Sequence, residues 1–224
     1  MGYYIDLSKI TLEEFKNKLK NEYLLPSQQF LKENIDEQFS IIQNQNIVNL
    51  QQLQQELKTK EKVNAFAKTT SIGVDYLTVL RRTVNSYHPE ARKLDQFPCI
   101  SSETAQKLAK AGIKTTLDLY DRIITPQERN RLADELGISI EKALLLAKLT
   151  DICRLRYVNQ TFAYLLVMLG YDTVELIQKA DYRILHKKLL ELNEEKNIFK
   201  GKIGLNDMAF LVNEARNATL DVEY

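Results

Sequence analysis

Two histidines, two cysteines and a few clusters of arginine are the residues of this chain whose types can carry chemistry. His88 and His186 lack a Cys, Asp or Glu at a ligand-like helical spacing, so neither completes a metal signature. His186 lies in LHKKLLEL, which reads as a solvated helix face. Cys99 and Cys153 form no CxxC pair and read as buried small hydrophobes in a reducing compartment. The sequence contains no G-x-S-x-G, Walker loop or dinucleotide fingerprint. With no paired nucleophile and base, the expectation is a protein that is not an enzyme and needs no cofactor or metal. The cations are the remaining candidates. Arg81 and Arg82, Arg92 and Lys93, Arg129 and Arg131, and Arg154 and Arg156 stand in close sets, the last beside Tyr157 and Asn159. Arginine and asparagine donate to phosphate oxygens, and an aromatic ring stacks a base. Arg129, Arg131, Arg154, Arg156, Tyr157 and Asn159 are therefore the candidate nucleic-acid-binding residues. The plainer reading of the same charges is that they solubilise helix ends and exposed faces.

Bulk composition argues against a dedicated nucleic-acid domain. Lys+Arg number 31 and Asp+Glu 30, a formal net charge of +1, whereas such domains are usually strongly basic. A hydrophobic content of 44% is ample for a core, and only 7 Gly and 4 Pro suit helices with short connections. FAYLLVML is too short to cross a bilayer and no secretory leader is evident, so a soluble cytoplasmic protein is expected.

The elements that would position these residues recur within the chain. The stretch from Phe97 to Leu119 reads FPCISSETAQKLAKAGIKTTLDL. Pro98 keeps a helix from running through Phe97. Ser101 or Ser102 can cap a helix, and Glu103 suits its positive end. Ala105, Leu108 and Ala109 make an apolar face, and Gly112 stands where a left-handed C-cap is wanted. Thr115 or Thr116 then caps a helix expected to turn Leu117 and Leu119 inward, into a core with Leu132, Leu144 and Leu145. From Leu155, LRYVNQTFAYLLVMLGYDTVELI has the same grammar, with Asn159 as cap and Gly170 in the place of Gly112. Ser101, Gly112 and Gly170 are thus the structural hairpin residues. A weaker copy runs from Leu31 to Leu53, with Asn46 in the glycine's place.

Around these copies, Thr11 and Glu14 form a capping box before LEEFKNKL, and Ser27 is expected to cap a helix after Pro26. The Asn- and Gln-rich segment from Gln43 to Gln55 keeps Ile47, Leu50 and Leu53 at helical spacing and reads as ordered. Thr59 to Val84 aligns without gaps on Thr125 to Thr150, so Ser71 falls on Gly137 and Leu80 on Leu146. Two whole repeats and a third that drifts are expected to share a continuous core. Asn193 to Gly204 reads as an exposed loop before a closing helix capped by Asn206 or Asp207. The boundary is placed in SYHPEARKL. Residues 1–92 then hold an N-terminal helix and the first repeat, and residues 93–224 hold the second and third.

On these motifs the chain resembles helix-hairpin-helix proteins, and in particular an uncharacterised bacterial family of unknown function built from such repeats. TPQERNRLADELGIS is similar to that family's linker between hairpins, and IDLSKITLEEFKNKL to its opening. The resemblance covers most of the chain. It implies an all-α fold of tandem degenerate helix-hairpin-helix repeats forming one elongated helical unit. It also implies non-specific, phosphate-directed DNA binding, in which two hairpin glycines bring backbone N–H groups against a phosphate. The matching positions here are Cys99 and Ser101, Tyr157 and Asn159, and Glu33 or Asn34 with Asp36, and none is glycine. A side chain there blocks close approach of the backbone. The alternative is a protein-interaction scaffold whose hairpins have lost that function.

Overall fold

The structure, a computed structural model, describes residues 2–224 and is all-helical in its regular elements, with no strand among the described residues. It divides into two compact units, Tyr4–His88 and Pro89–Tyr224 with the first residues through Tyr3. In the first, α1 (Leu12–Asn21) starts at the Thr11 capping box, where the Thr11 N–H donates to Glu14 Oε2 at 2.8 Å and Glu14 N–H donates to Thr11 Oγ1 at 3.1 Å. A 3₁₀ segment, Pro26–Lys32, follows. Ser27 therefore does not cap a helix. Pro26 occupies the first helical position, which moves the cap site back to Leu25. Next come α2 (Ile35–Gln43), α3 (Leu50–Glu56), α4 (Lys60–Thr70) and α5 (Val74–Asn85). Their inward faces close over Phe15, Phe39, Leu50, Leu53, Leu77 and Leu80, all fully buried.

The second unit contains α6 (Ser102–Lys110), α7 (Thr116–Tyr120), α8 (Pro126–Leu136), α9 (Ile140–Ile152), α10 (Gln160–Met168), α11 (Val174–Gln178), α12 (Tyr182–Lys196) and α13 (Leu205–Asn217). Its centre is α9, which α7, α8 and α10 all touch. Ala143, Leu146, Ala147, Leu149, Thr150, Asp151 and Ile152 are buried, so α9 has lost the polar stripe of a surface helix by its last two turns. Toward the C-terminus α12 runs to Lys196, so only the latter part of the expected loop is loop. The cap of α13 is Gly204 rather than Asn206 or Asp207; the Gly204 N–H donates to Asp207 Oδ2 at 2.9 Å, so Asp207 closes the first turn from inside it.

The same order of caps and helices occurs in both units. Asn49 caps α3 and Thr115 caps α7; Thr59 caps α4 and Thr125 caps α8. A short antiparallel bridge ties each preceding segment to the capping residue, Thr11 to Asn49 and Lys93 to Thr115. Ser71 ends α4 at φ 61° and Gly137 ends α8 at φ 58°. Asn46 at φ 61°, Gly112 at φ 79° and Gly170 at φ 76° take the left-handed conformation that the spacing predicts. After Gly112 and Gly170 the Ile113 N–H reaches Leu108 O at 2.9 Å and the Tyr171 N–H reaches Leu166 O at 3.0 Å, each closing the end of its helix.

An added Cβ at Gly112 meets nothing within 4 Å, so the cost of Gly112→Ala is conformational rather than steric. Thermal unfolding is expected to show a loss of roughly 1–2 kcal/mol, because an L-residue pays that much in the left-handed region. A neutral or stabilising result would mean that the turn relaxes out of this conformation.

One face differs from the expectation. Leu108 and Leu119 are fully buried, but Leu117 is 42% exposed and Ala109 is exposed. With Thr115 as cap, α7 turns Thr116, Leu119 and Tyr120 inward, at the i, i+3, i+4 positions, and leaves Leu117 outside. Leu144 and Leu145 are half-buried rather than central.

Candidate functional site

The turn that links α9 to α10 carries two of the four candidate arginines, Arg154 and Arg156. Its backbone is unusual at one residue. Tyr157 has φ 66°, a conformation that costs a bulky L-residue strain. Asn34, in the equivalent turn before α2, has φ 49°. Of the six positions set against hairpin glycines in the sequence, Asn34 and Tyr157 take the left-handed conformation while carrying a side chain. Tyr157 is 46% exposed and its ring lies 5.6 Å from that of Phe210. Asn159 is engaged as a cap, its Oδ1 accepting from Phe162 N–H at 2.9 Å, and Ser101 does the same for Thr104 N–H at 3.2 Å.

The arginines beside Tyr157 turn inward. Arg156 is 7% exposed and forms a two-pronged ion pair with Glu214 of α13, itself 8% exposed. Its guanidinium also lies 4.8 Å from the centre of the Phe210 ring. Arg154 donates through Nη2 to Asp151 Oδ1 at 2.7 Å and through Nη1 to Asp221 Oδ2 at 3.2 Å. Burial pulls its pKa down, but Asp151, Tyr120 and Asp221 together outweigh this and the net shift is upward. Arg154 therefore stays charged at any ordinary pH. Arg129, only 4% exposed, donates to Ile123 O at 2.9 Å and stands 5.8 Å from the Tyr224 ring centre. Burial lowers its pKa, against the weaker raising influence of Tyr224, Glu223 and Glu128. Arg92 is drawn in as well, its Nε donating to Val158 O at 3.0 Å within the turn itself.

Arg154 and Arg129 thus converge on one buried polar cluster. Asp151 Oδ1 accepts from Arg154, and its Oδ2 accepts from the Tyr224 hydroxyl at 3.1 Å. The Tyr120 hydroxyl donates to Asp221 Oδ2 at 2.9 Å. Burial is the main reason that the Tyr120 and Tyr224 hydroxyls are pushed well above the usual phenol range, so both act as donors here. Arg156 stands apart on Glu214, and Arg131 is exposed on α8, outside both groups. The expected arrangement of Arg154 and Arg156 as outward phosphate donors is not the one seen. Each has its donors spent on carboxylates of its own unit. Sequence reasoning passed over Asp151, Glu214, Asp221, Tyr120 and Tyr224. Only Asp151 gave a local signal, since it precedes Arg154 by one helical turn.

The other candidates for chemistry are similarly committed. His88 shares a hydrogen bond with Ile5 O at 2.9 Å and packs on Tyr4, and His186 shares one with Ile203 O at 3.0 Å. Cys153 is fully buried, which pushes its thiol up to about 12, and burial also raises the thiol of Cys99. Among the described residues no group of three or more His, Cys, Asp or Glu is placed to hold a metal, and no helix is long and apolar enough to cross a membrane.

Residues 98–218 match the model of a protein family described as Domain of unknown function (DUF4332). The matched region runs from the turn before α6 to the end of α13 and so contains every predicted site residue. No curated protein and no solved structure matches the chain.

Proposed function

The chain belongs to the DUF4332 family of domains of unknown function, and on that premise we propose that it is a non-catalytic protein-interaction scaffold built on degenerate helix-hairpin-helix units. The observation that carries this reading is the burial of Arg129, Arg154 and Arg156 in bonds to their own unit. A hairpin that grips a phosphate needs free N–H groups, room for the backbone to approach, and cations to neutralise the charge. The turn around Tyr157 keeps the left-handed backbone, but a tyrosine side chain stands where the approach would be made, and both flanking arginines are engaged elsewhere. The chain's near-neutral charge agrees with this. Large apolar side chains meanwhile stand in solvent at matching places, Val74 at the start of α5 and Ile140 at the start of α9. Contacts of that kind suit another protein better than a phosphate backbone.

A fluorescence titration of the full chain against labelled single- and double-stranded DNA tests this at two salt concentrations, roughly 50 and 200 mM. The expected result is no saturable binding at the lower salt. Saturable binding whose log K falls with log salt by roughly 0.7–0.9 per phosphate contact would overturn the scaffold reading in favour of nucleic acid.

A further inference from the structure

Residues 219–224 follow α13 with no regular secondary structure, yet they lie in a fitted site of their own unit. Arg154 Nη2 donates to Thr219 O at 2.9 Å, while its Nη1 and the Tyr120 hydroxyl both donate to Asp221 Oδ2. Val222 is buried, Glu223 N–H donates to Ile124 O at 2.8 Å, and the Tyr224 hydroxyl donates to Asp151 Oδ2. We propose that the groove formed by Tyr120, Ile124, Arg129, Asp151 and Arg154 is a peptide-docking site that the chain's own segment keeps occupied. Its partner is a segment of another protein with the same chemistry: an aspartate, an apolar residue next to it, and a tyrosine three positions beyond the aspartate.

Two features favour a dock over a fixed part of the core. The segment is held through both backbone and side chains, as an extended peptide is, and its aspartate sits opposite a built cationic site, which is the charge pattern of a recognised peptide. The site also survives the segment's departure. Arg154 keeps Asp151, one turn earlier on the same stretch of chain, so removing Asp221 leaves no buried charge without a partner. Tethering gives the chain's own segment a high effective concentration, so an outside peptide competes at a disadvantage until that segment is weakened. The kind of partner rests on the protein-interaction reading; the groove and its occupant are independent of it.

The test uses the full chain and a labelled peptide of sequence ATLDVEY, which is residues 218–224. Asp221→Ala in the chain weakens the resident segment and is expected to tighten peptide binding by about tenfold or more over wild type, because the site becomes free for a larger fraction of the time. The same peptide with Ala in place of its Asp is expected to lose that binding. Equal affinity for wild type and Asp221→Ala, or equal binding of the two peptides, overturns the proposal. Should Asp221→Ala lose cooperative unfolding, Tyr224→Phe removes only the hydroxyl on Asp151 and is expected to tighten binding in the same direction; no change in that variant also overturns it. Titrating DNA on the same samples separates the two ideas. DNA binding sinks the scaffold reading, whereas absence of both peptide and DNA binding sinks this site alone.

Discussion

Replacing Arg156 by alanine is expected to destabilise the chain by roughly 3–5 kcal/mol in urea unfolding, because it strands the buried Glu214 carboxylate. Both side chains of the pair are nearly closed to solvent, so neither can exchange its partner for water. The guanidinium also covers the Phe210 ring, and that contact goes with it. Arg156→Lys is expected to recover little, since an ammonium cannot bridge both carboxylate oxygens from Nε and Nη2. Replacing both partners, Arg156→Leu with Glu214→Leu, is expected to be far milder than either alanine change. The comparison separates a structural ion pair from a functional cation. If Arg156 were held for a phosphate, its removal would relieve the fold rather than unfold it.

A second large effect is expected in the other unit. Phe39→Ala should cost roughly 3–5 kcal/mol, the range for truncating a buried aromatic. Phe39 is fully buried on α2, with its ring centre 5.9 Å from that of Phe15, which in turn meets Tyr87 edge-on at 5.7 Å. Losing the ring opens a cavity at the junction of α1 and α2. Glu37→Ala, exposed on the same helix, is the control and should stay within about 0.5 kcal/mol of wild type. A small cost for Phe39→Ala would mean that the rings repack, and that the first unit's core is looser than its burial indicates.

Much of the fold was legible because its signals are local. Thr11, Ser101, Thr115 and Asn159 act as caps through hydrogen bonds spanning three residues, and such bonds can be read from a short window. Gly112 and Gly170 were readable for the same reason, as was the match of Ser71 to Gly137. The face of α7 was misread because a five-residue helix has too little period to fix its phase, and one step of rotation put Thr116 inside and Leu117 outside. The site was less legible than the fold. Arg154 and Arg156 are visible as cations beside a turn, but their direction depends on carboxylates far along the chain. Glu214 lies 58 residues from Arg156, and Asp221 lies 67 from Arg154. No periodicity or motif encodes such a pairing; it appears only when α13 and the segment after it are laid against the turn.

The claim that the arginines of this turn belong to the interior is tested most directly by a double-mutant cycle on Arg156 and Glu214. Urea unfolding of Arg156→Ala, Glu214→Ala and the double variant yields the coupling between the two side chains. The account predicts strong coupling, roughly 2–3 kcal/mol, with the double variant markedly more stable than the sum of the single losses implies. Additive losses, within about 0.5 kcal/mol, would contradict it and return Arg156 to the surface as a candidate for phosphate contact.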